Sequence, residues 1–220
     1  MKKNGFTLAE VLITLAIIGV VATLTLPSLM SNTQEQQAVT AFKKSMNTLN
    51  EVAQMNSVVD GFDYSGITTE TGPASRSIYN TTTGVLEQSI WAMMKSKAQV
   101  DDASSYNNNN STHPCDSFAK QIFFRDGTVL CYGNVQGTAG MQNSYIPATI
   151  DTNGIKGPNI VSSCGDARCF SKASKNIRDQ FRITLYGSNA IPGRVTIDAN
   201  GNMSNDTSQQ GYAAGYAMLK

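Results

Sequence analysis

The sequence predicts an α+β fold in which a long amino-terminal helix packs on a small, mainly antiparallel sheet. An apolar run at residues 6–30 is followed by apolar residues at three- and four-residue spacing, the period of a helix. Farther along, short apolar runs flank Asp-Gly and Asn-Gly pairs, the pattern of strands joined by tight turns. The part of the 220-residue chain that follows the helix is long enough for one globular domain with its own core.

Residues 6–30 are predicted to be a membrane-spanning helix. At roughly 1.5 Å per residue the segment is about 37 Å long, and the hydrocarbon core of a bilayer is roughly 30 Å thick. Lys2 and Lys3 precede the segment and the next basic residue is Lys43, so the positive-inside rule places the amino terminus in the cytoplasm. The run carries one charged residue, Glu10. Such a group costs roughly 2.5–3.5 kcal/mol inside a membrane and usually has a partner there.

Two simpler interpretations of this run explain less. A cleaved secretory signal would show small residues in an A-x-A pattern after the run, but the residues there read "TLTLPSLMSN". A plain membrane anchor explains the apolar run and leaves Glu10 without a purpose.

The segment "KKNGFTLAEVLITLAIIGVVATLTLP" resembles the signal of type IV pilins and type II secretion pseudopilins. In that family a prepilin peptidase cuts after a glycine, here Gly5, and methylates the new terminal residue, here Phe6. The family's glutamate at the fifth mature position corresponds to Glu10. Its proline at the twenty-second mature position, which kinks the membrane helix, corresponds to Pro27. The resemblance covers about the first 30 residues.

The resemblance implies a filament subunit with a pilin-like fold. Residues 1–5 would be the leader peptide, and Glu10 of one subunit would pair with the Phe6 amine of a neighbour and so set the register of assembly. The implied partners are other copies of the chain, other pilin-like subunits, the prepilin peptidase, an inner-membrane assembly platform with its ATPase, and membrane lipid before assembly. The implied location is the inner membrane, with the carboxy-terminal domain outside, and then a periplasmic or extracellular filament.

Several functions remain open within this class. The filament could be a type IV pilus, a type II secretion pseudopilus or a competence pilus that takes up DNA. The alternative from a different class is a membrane-anchored extracytoplasmic binding domain that does not polymerise. An enzyme is the least favoured function, because the only histidine, His113, lies in a polar loop and no nucleophile, phosphate-binding or zinc-protease motif is present. No cofactor is expected.

After the membrane segment, residues 31–60 are predicted to continue the helix as an amphipathic stretch that ends near Gly61. Residues 61–220 form the globular domain. The apolar stripe of the continuation consists of Val39, Phe42, Met46, Leu49 and Ala53. A second helix is predicted at 83–100, with Trp91 and its neighbouring methionines in the core.

Four strand regions are predicted in the second half of the chain. Residues 121–132 form a hairpin around Asp126-Gly127, and 193–203 turn at Asn200-Gly201. Residues 145–150 form a strand that Pro147 makes an edge or irregular one, and residues 180–187 form another.

The four cysteines are expected to form disulfides, because the domain lies outside the cytoplasm. They are Cys115, Cys131, Cys164 and Cys169, and three connectivities are open. A local bridge between Cys164 and Cys169 would leave Cys115 to pair with Cys131. A zinc site would favour tighter C-x-x-C pairs.

Two further sites are weak candidates. Asp151, Asn153 and Asp179 offer oxygen ligands for calcium, in a "DTNGIKGPN…DQF" pattern that resembles one in some pilin-like proteins, although the same residues are typical of a turn, which is favoured. A series of basic residues at helical spacing suggests DNA binding. The alternative is that these residues form a solvent-exposed helix face, and the net charge of the chain is only +1. The series is Arg168, Lys172, Lys175, Arg178 and Arg182.

Overall fold

The computed structural model describes residues 5–68, 78–101, 106–107, 120–138, 140–141, 143–154 and 179–205. The chain divides into two compact units, Met1–Gln37 and Ala38–Lys220. Helix α1, Leu8–Val59, is 52 residues long and contributes to both units. Its length confirms the prediction of one long amino-terminal helix.

In the second unit, one face of α1 is buried as the apolar stripe predicts. Phe42, Met46, Leu49 and Ala53 are at most 2 % exposed. Lys44, Asn47 and Glu51, which lie off the stripe, are exposed. The burial of this stripe, and not helix propensity alone, holds this part of the helix in place.

Helix α1 ends at a glycine, as predicted. The backbone N–H groups of Asp60 and Gly61 both donate to the Asn56 carbonyl, at 2.8 and 3.1 Å. Gly61 has φ of 78°, a left-handed conformation that ends helices at little cost only when the residue has no Cβ. A short 3₁₀ helix, Tyr64–Gly66, follows.

The second helix is shorter than predicted. Helix α2 spans Ile90–Lys97, and the Ser89 hydroxyl caps it by accepting a hydrogen bond from the Ala92 N–H. The predicted first turns, from residue 83, are wrong because Tyr79 and Leu86 form a β-bridge around a turn at Asn80. The predicted core role of Trp91 and of the methionines after it is confirmed, since all are buried.

A six-stranded sheet lies in sequence order, with every neighbouring pair antiparallel. Its strands are β1 Tyr106–Asn107, β2 Lys120–Phe123, β3 Val129–Tyr132, β4 Ile146–Asp151, β5 Gln180–Tyr186 and β6 Asn189–Pro192. Strands β7 Val195–Ile197 and β8 Met203–Asn205 form a separate hairpin. The α+β prediction and both predicted hairpin turns are confirmed, whereas the sequence pattern does not predict β1 and β6.

The strand with Pro147 was predicted to be an edge strand or an irregular one, and the edge position is wrong. Strand β4 lies inside the sheet, between β3 and β5. The Pro147 carbonyl accepts a hydrogen bond from the Gly133 N–H at 2.9 Å, and Gly133 lies just past the end of β3. The nitrogen of Pro147 points to the same neighbouring strand as its carbonyl, so the position without an N–H also lies just past the end of β3. One interior strand therefore tolerates the proline, because the lost donor falls where the ladder stops.

The two faces of the sheet have different characters. One face joins α1 and α2 in the main core, and the Phe42 and Phe181 rings lie 4.9 Å apart between their centroids. The opposite face is also buried and is mixed in character: it carries Gln121, Thr149 and Asp151 beside a small apolar cluster of Phe123, Val129 and Cys131. The sheet is therefore covered on both faces, which a simple helix-on-sheet prediction does not anticipate.

Hydrogen bonds from side chains also attach α1 to the rest of the domain. The buried Tyr64 hydroxyl donates to the Leu49 carbonyl at 2.7 Å. The Asn50 side chain accepts from the Ala190 N–H at 2.7 Å, which ties the helix to β6.

Candidate functional site

The first part of α1 has an exposed apolar surface. Leu8–Leu26 is long and apolar enough to cross a membrane, since its mean hydropathy is 2.3 and none of its residues is buried. Phe6 is 90 % exposed and Leu8 79 %. Such a surface is stable only when lipid or other apolar helices cover it.

Threonines within this segment satisfy their own hydroxyls. Thr14 donates to the Val11 carbonyl at 2.9 Å and Thr23 to the Val20 carbonyl at 2.8 Å. Thr25 makes the same kind of bond to the carbonyl of residue 21 at 3.0 Å. Because each hydroxyl has a partner within the helix, these polar residues add little cost in an apolar environment.

Glu10 caps its own helix. Its Oε2 accepts hydrogen bonds from the Thr7 N–H at 2.8 Å and from the Thr7 hydroxyl at 2.9 Å. The Thr7 hydroxyl in turn lies 3.3 Å from the Glu10 N–H. This reciprocal arrangement is a capping box, in which a Thr and a Glu three residues apart satisfy amides that the first helical turn leaves free.

This capping role of Glu10 was not predicted from the sequence. The "TLAE" sequence before an apolar run is the T-x-x-E signature of a capping box and could have identified it. The prediction treated Glu10 only as a charge in need of an external partner, whereas the structure shows a carboxylate that is already held in place at Oε2. Its other oxygen, Oε1, makes no hydrogen bond with the part of the chain that the structure describes.

The predicted cleavage site lies immediately before this capping box. Gly5 and Phe6 are both exposed, and Phe6 immediately precedes Thr7. Helix α1 continues through Pro27 without a break. A kink or a loosening at Pro27 in an assembled state therefore stays a prediction.

Asp151 and Asn153 form the turn that the sequence favours over calcium. Asp151 Oδ1 accepts from the N–H groups of Asn153 and Gly154, at 3.1 and 2.8 Å, and its Oδ2 accepts from the Gln180 side chain. Burial raises the pKa of Asp151 to about 7, with a further rise from the nearby Asp179 carboxylate. Within the described residues, no group of three or more acidic, His or Cys side chains could hold a metal ion.

The predicted basic stripe does not extend as a helix to its last member. Arg182 lies on strand β5, because it pairs with Thr149 of β4 in the antiparallel ladder. The other members, Arg168, Lys172, Lys175 and Arg178, lie outside the described residues, so DNA binding stays a prediction.

Of the cysteines, only Cys131 lies within the described residues. It is buried on β3 and is disulfide-bonded. Cys115, Cys164 and Cys169 lie outside them, as does His113, so the pairing stays a prediction.

Comparison with known proteins supports the interpretation of the amino-terminal segment. Residues 1–26 match the family model described as the prokaryotic N-terminal methylation motif. No curated protein and no solved structure matches the chain. The match begins in the basic leader and includes Gly5 and Phe6 of the predicted cleavage site and Thr7 and Glu10 of the capping box. Residues 1–26 of this protein therefore carry a prokaryotic N-terminal methylation motif, a signal of the kind found in type IV pilins and pseudopilins.

Proposed function

We propose that this protein is a membrane-inserted precursor that becomes the structural subunit of a type IV pilus-like or type II secretion pseudopilus filament. It acts by polymerising and carries out no catalytic step. The observation that carries the proposal is the combination of the methylation signal with an uncovered apolar helix whose single acid is already oriented by a capping box.

Removal of residues 1–5 would create an α-amine on Phe6, at the start of the apolar helix. In a bundle of such helices, an unpaired carboxylate is penalised and a correctly staggered neighbour removes the penalty. Because Oε2 of Glu10 is held by Thr7, Oε1 is the atom that remains to accept the amine of the next subunit. The capping box thus fixes the Glu10 side chain in an orientation in which Oε1 can accept the Phe6 amine of the next subunit. Pairing then costs little side-chain entropy.

The first test is the mass of the mature protein purified from its native membrane. We expect the chain to begin at Phe6 and to carry one methyl group on its terminal amine. A mature chain that retains residues 1–5 would leave the apolar helix as a permanent anchor. The function would then be that of a membrane-anchored binding domain that does not polymerise.

The second test separates capping from charge pairing. Glu10→Gln keeps an oxygen that can complete the capping box but removes the charge. We expect Glu10→Gln to be cleaved normally and to form far fewer filaments. Glu10→Ala, which also loses the cap, should assemble no better. Normal filament yield from Glu10→Gln would show that the charge does not direct assembly.

The location of the filaments distinguishes the members of this class. Filaments that contain this chain on the cell surface would indicate a pilus, and their confinement to the periplasm would indicate a secretion pseudopilus. Loss of DNA uptake in a deletion strain, with secretion intact, would indicate a competence pilus.

A further inference from the structure

We propose that a cleft beside the carboxy-terminal end of helix α1 binds a primary ammonium group on a short aliphatic stem. The cleft has a volume of about 370 Å³, enough for such a group with part of its chain. It lies within the second unit, between the end of α1, the 3₁₀ helix that follows it, and the loop that leads to β4. This site is separate from the amino-terminal segment and does not depend on filament assembly.

The charge of the cleft favours a cation. Among the described residues that line the cleft, Asp63 has the only ionisable side chain. Helix α1 ends beside the cleft with no basic residue in its last turn, so the negative end of the helix dipole is not compensated from the helix itself. Asp60, next to Gly61, pairs with Lys97 at 2.8 Å, so the charges of these two side chains offset each other.

The Asp63 carboxylate is held in place by two hydrogen bonds and can still accept further ones. Its Oδ1 accepts from the Ser65 N–H at 3.0 Å and its Oδ2 from the Ser188 hydroxyl at 3.1 Å. An ionised carboxylate has about four acceptor positions, so each oxygen can accept one more hydrogen bond. The two existing bonds hold the carboxylate in one orientation, which lowers the entropic cost of binding a ligand there.

The other polar groups in the cleft suit the three N–H donors of an ammonium. Ser57, Thr68 and Gln88 also line the cleft. The Thr68 hydroxyl donates to the Gln88 amide oxygen at 3.1 Å, and the Thr68 oxygen keeps its lone pairs as an acceptor. A divalent metal is a poorer match, because no group of three or more acidic, His or Cys side chains occurs in the part of the chain that the structure describes. One carboxylate with neutral oxygens is the acceptor set that a singly charged amine requires.

The apolar part of the cleft suits an aliphatic stem. Met141 contributes a thioether side chain that is 59 % exposed, and Phe62, which also lines the cleft, is buried in the core. Gly140 allows the backbone beside Met141 to lie close to Thr68, because a Cβ at Gly140 would lie 2.9 Å from the Thr68 methyl group. A ligand that covers Met141 would remove apolar surface from water, which adds to the attraction of the charge.

The test is a titration of the full chain in detergent micelles, followed by the NMR shifts of backbone amides. The probe is n-butylammonium, and n-butanol is the uncharged control of similar size and shape. We expect butylammonium to shift the amides of Gly61, Ser65 and Gly66 saturably, with a dissociation constant on the order of millimolar. Butanol should shift them little. Equal shifts with butanol, or no saturable shift with butylammonium, would overturn the proposal.

Two variants locate the site. Asp63→Asn keeps an oxygen for the Ser65 N–H and should weaken butylammonium binding about tenfold or more. Met141→Lys places an ammonium at the rim of the cleft and should weaken binding similarly. Met203→Lys is its matched control, since Met203 is 52 % exposed on strand β8, does not line the cleft and should leave binding unchanged. Wild-type affinity in both Asp63→Asn and Met141→Lys would refute the site.

The ammonium can come from a lysine of another protein chain or from a free amine. Carbodiimide treatment of native membranes joins a carboxylate to an amine in direct contact, and peptide mapping then identifies the pair. A crosslink from Asp63 to a lysine would assign the partner as protein. Butylammonium binding without such a crosslink would assign a free aliphatic amine.

Discussion

Thr7 and Glu10 show how a single acid is tolerated at the start of an apolar helix. The carboxylate accepts two hydrogen bonds from Thr7, so part of the solvation that it would lose in lipid is replaced before any neighbour arrives. The pair therefore serves both the isolated chain, as a cap, and the proposed filament, as an oriented charge.

Thr7→Val removes the hydroxyl of this cap while keeping a similar side-chain shape. We expect the first turn of α1 to lose about 1 kcal/mol of local stability, a typical value for a lost amino-terminal cap. Hydrogen exchange of the amides at residues 8–10 in micelles measures this loss. Thr7→Ser should preserve slow exchange, and Thr14→Val, which lies outside the cap, should leave these amides unchanged. Equal exchange in Thr7→Val and wild type would contradict a role in capping.

Asp151 predicts a pH dependence of stability. Burial raises the pKa of its carboxyl to about 7, whereas an aspartate in an unfolded chain has a pKa of about 3.9. Between these values the folded protein binds a proton that the unfolded chain has released, so the free energy of unfolding should fall as the pH rises from about 4 to 7.

Asp151→Asn should remove this contribution. The amide keeps an oxygen for the turn N–H groups of Asn153 and Gly154 but does not titrate in this range. Urea unfolding of the wild type and the variant between pH 4 and 7 gives the slope of the free energy of unfolding against pH for each protein. The difference between these two slopes is the contribution of Asp151. If the wild type gains stability relative to the variant as the pH rises, the pKa of Asp151 is not raised in the folded protein.

At the scale of elements, one helix contains two kinds of surface. Its first part is exposed on all sides and satisfies its threonine hydroxyls internally, as a membrane or bundle helix must. Its second part has a buried apolar stripe and an exposed polar face, as a helix on a soluble domain does. The change in the hydrophobic pattern along the sequence is what makes the two uses compatible.

Phe42 packs this helix against the sheet, because its ring is fully buried and contacts the Phe181 ring. Phe42→Ala should lower the free energy of unfolding by about 3–5 kcal/mol, since it leaves a cavity in the core. Val58→Ala, on the same helix at a position 86 % exposed, is the control and should change it by about 0.5 kcal/mol or less. Both values come from urea unfolding in micelles, and similar losses in the two variants would refute the packing.

At the scale of the whole molecule, Cys131 links the sheet to another part of the chain. It lies on the sheet face opposite α1, beside Val129 and Thr149, and it is disulfide-bonded. Closing a loop of the unfolded chain in this way typically stabilises the folded state by about 2–4 kcal/mol.

Peptide mapping without reduction should therefore find Cys131 joined to Cys115, with Cys164 joined to Cys169. Reduction should lower the midpoint of thermal unfolding. Cys131 recovered as a free thiol from the native protein would contradict both expectations and also the extracytoplasmic location of the domain.

Local patterns in the sequence determined much of this protein. The apolar run, the spacing of Gly5, Phe6 and Glu10, the stripe from Phe42 to Ala53 and the turns at Asp126-Gly127 and Asn200-Gly201 all act through neighbours within a few residues. Such features depend on helix period and turn chemistry, which a single sequence displays directly.

Tertiary structure decided what depends on residues far apart in the chain. Pro147 lies in an interior strand because β3 happens to end opposite it, and α2 begins only at Ile90 because Tyr79 and Leu86 pair before it. The ammonium cleft likewise brings together Asp63, Gln88 and Met141, which no local pattern connects. These outcomes depend on which distant backbone groups and side chains meet, and that is settled only when the chain packs.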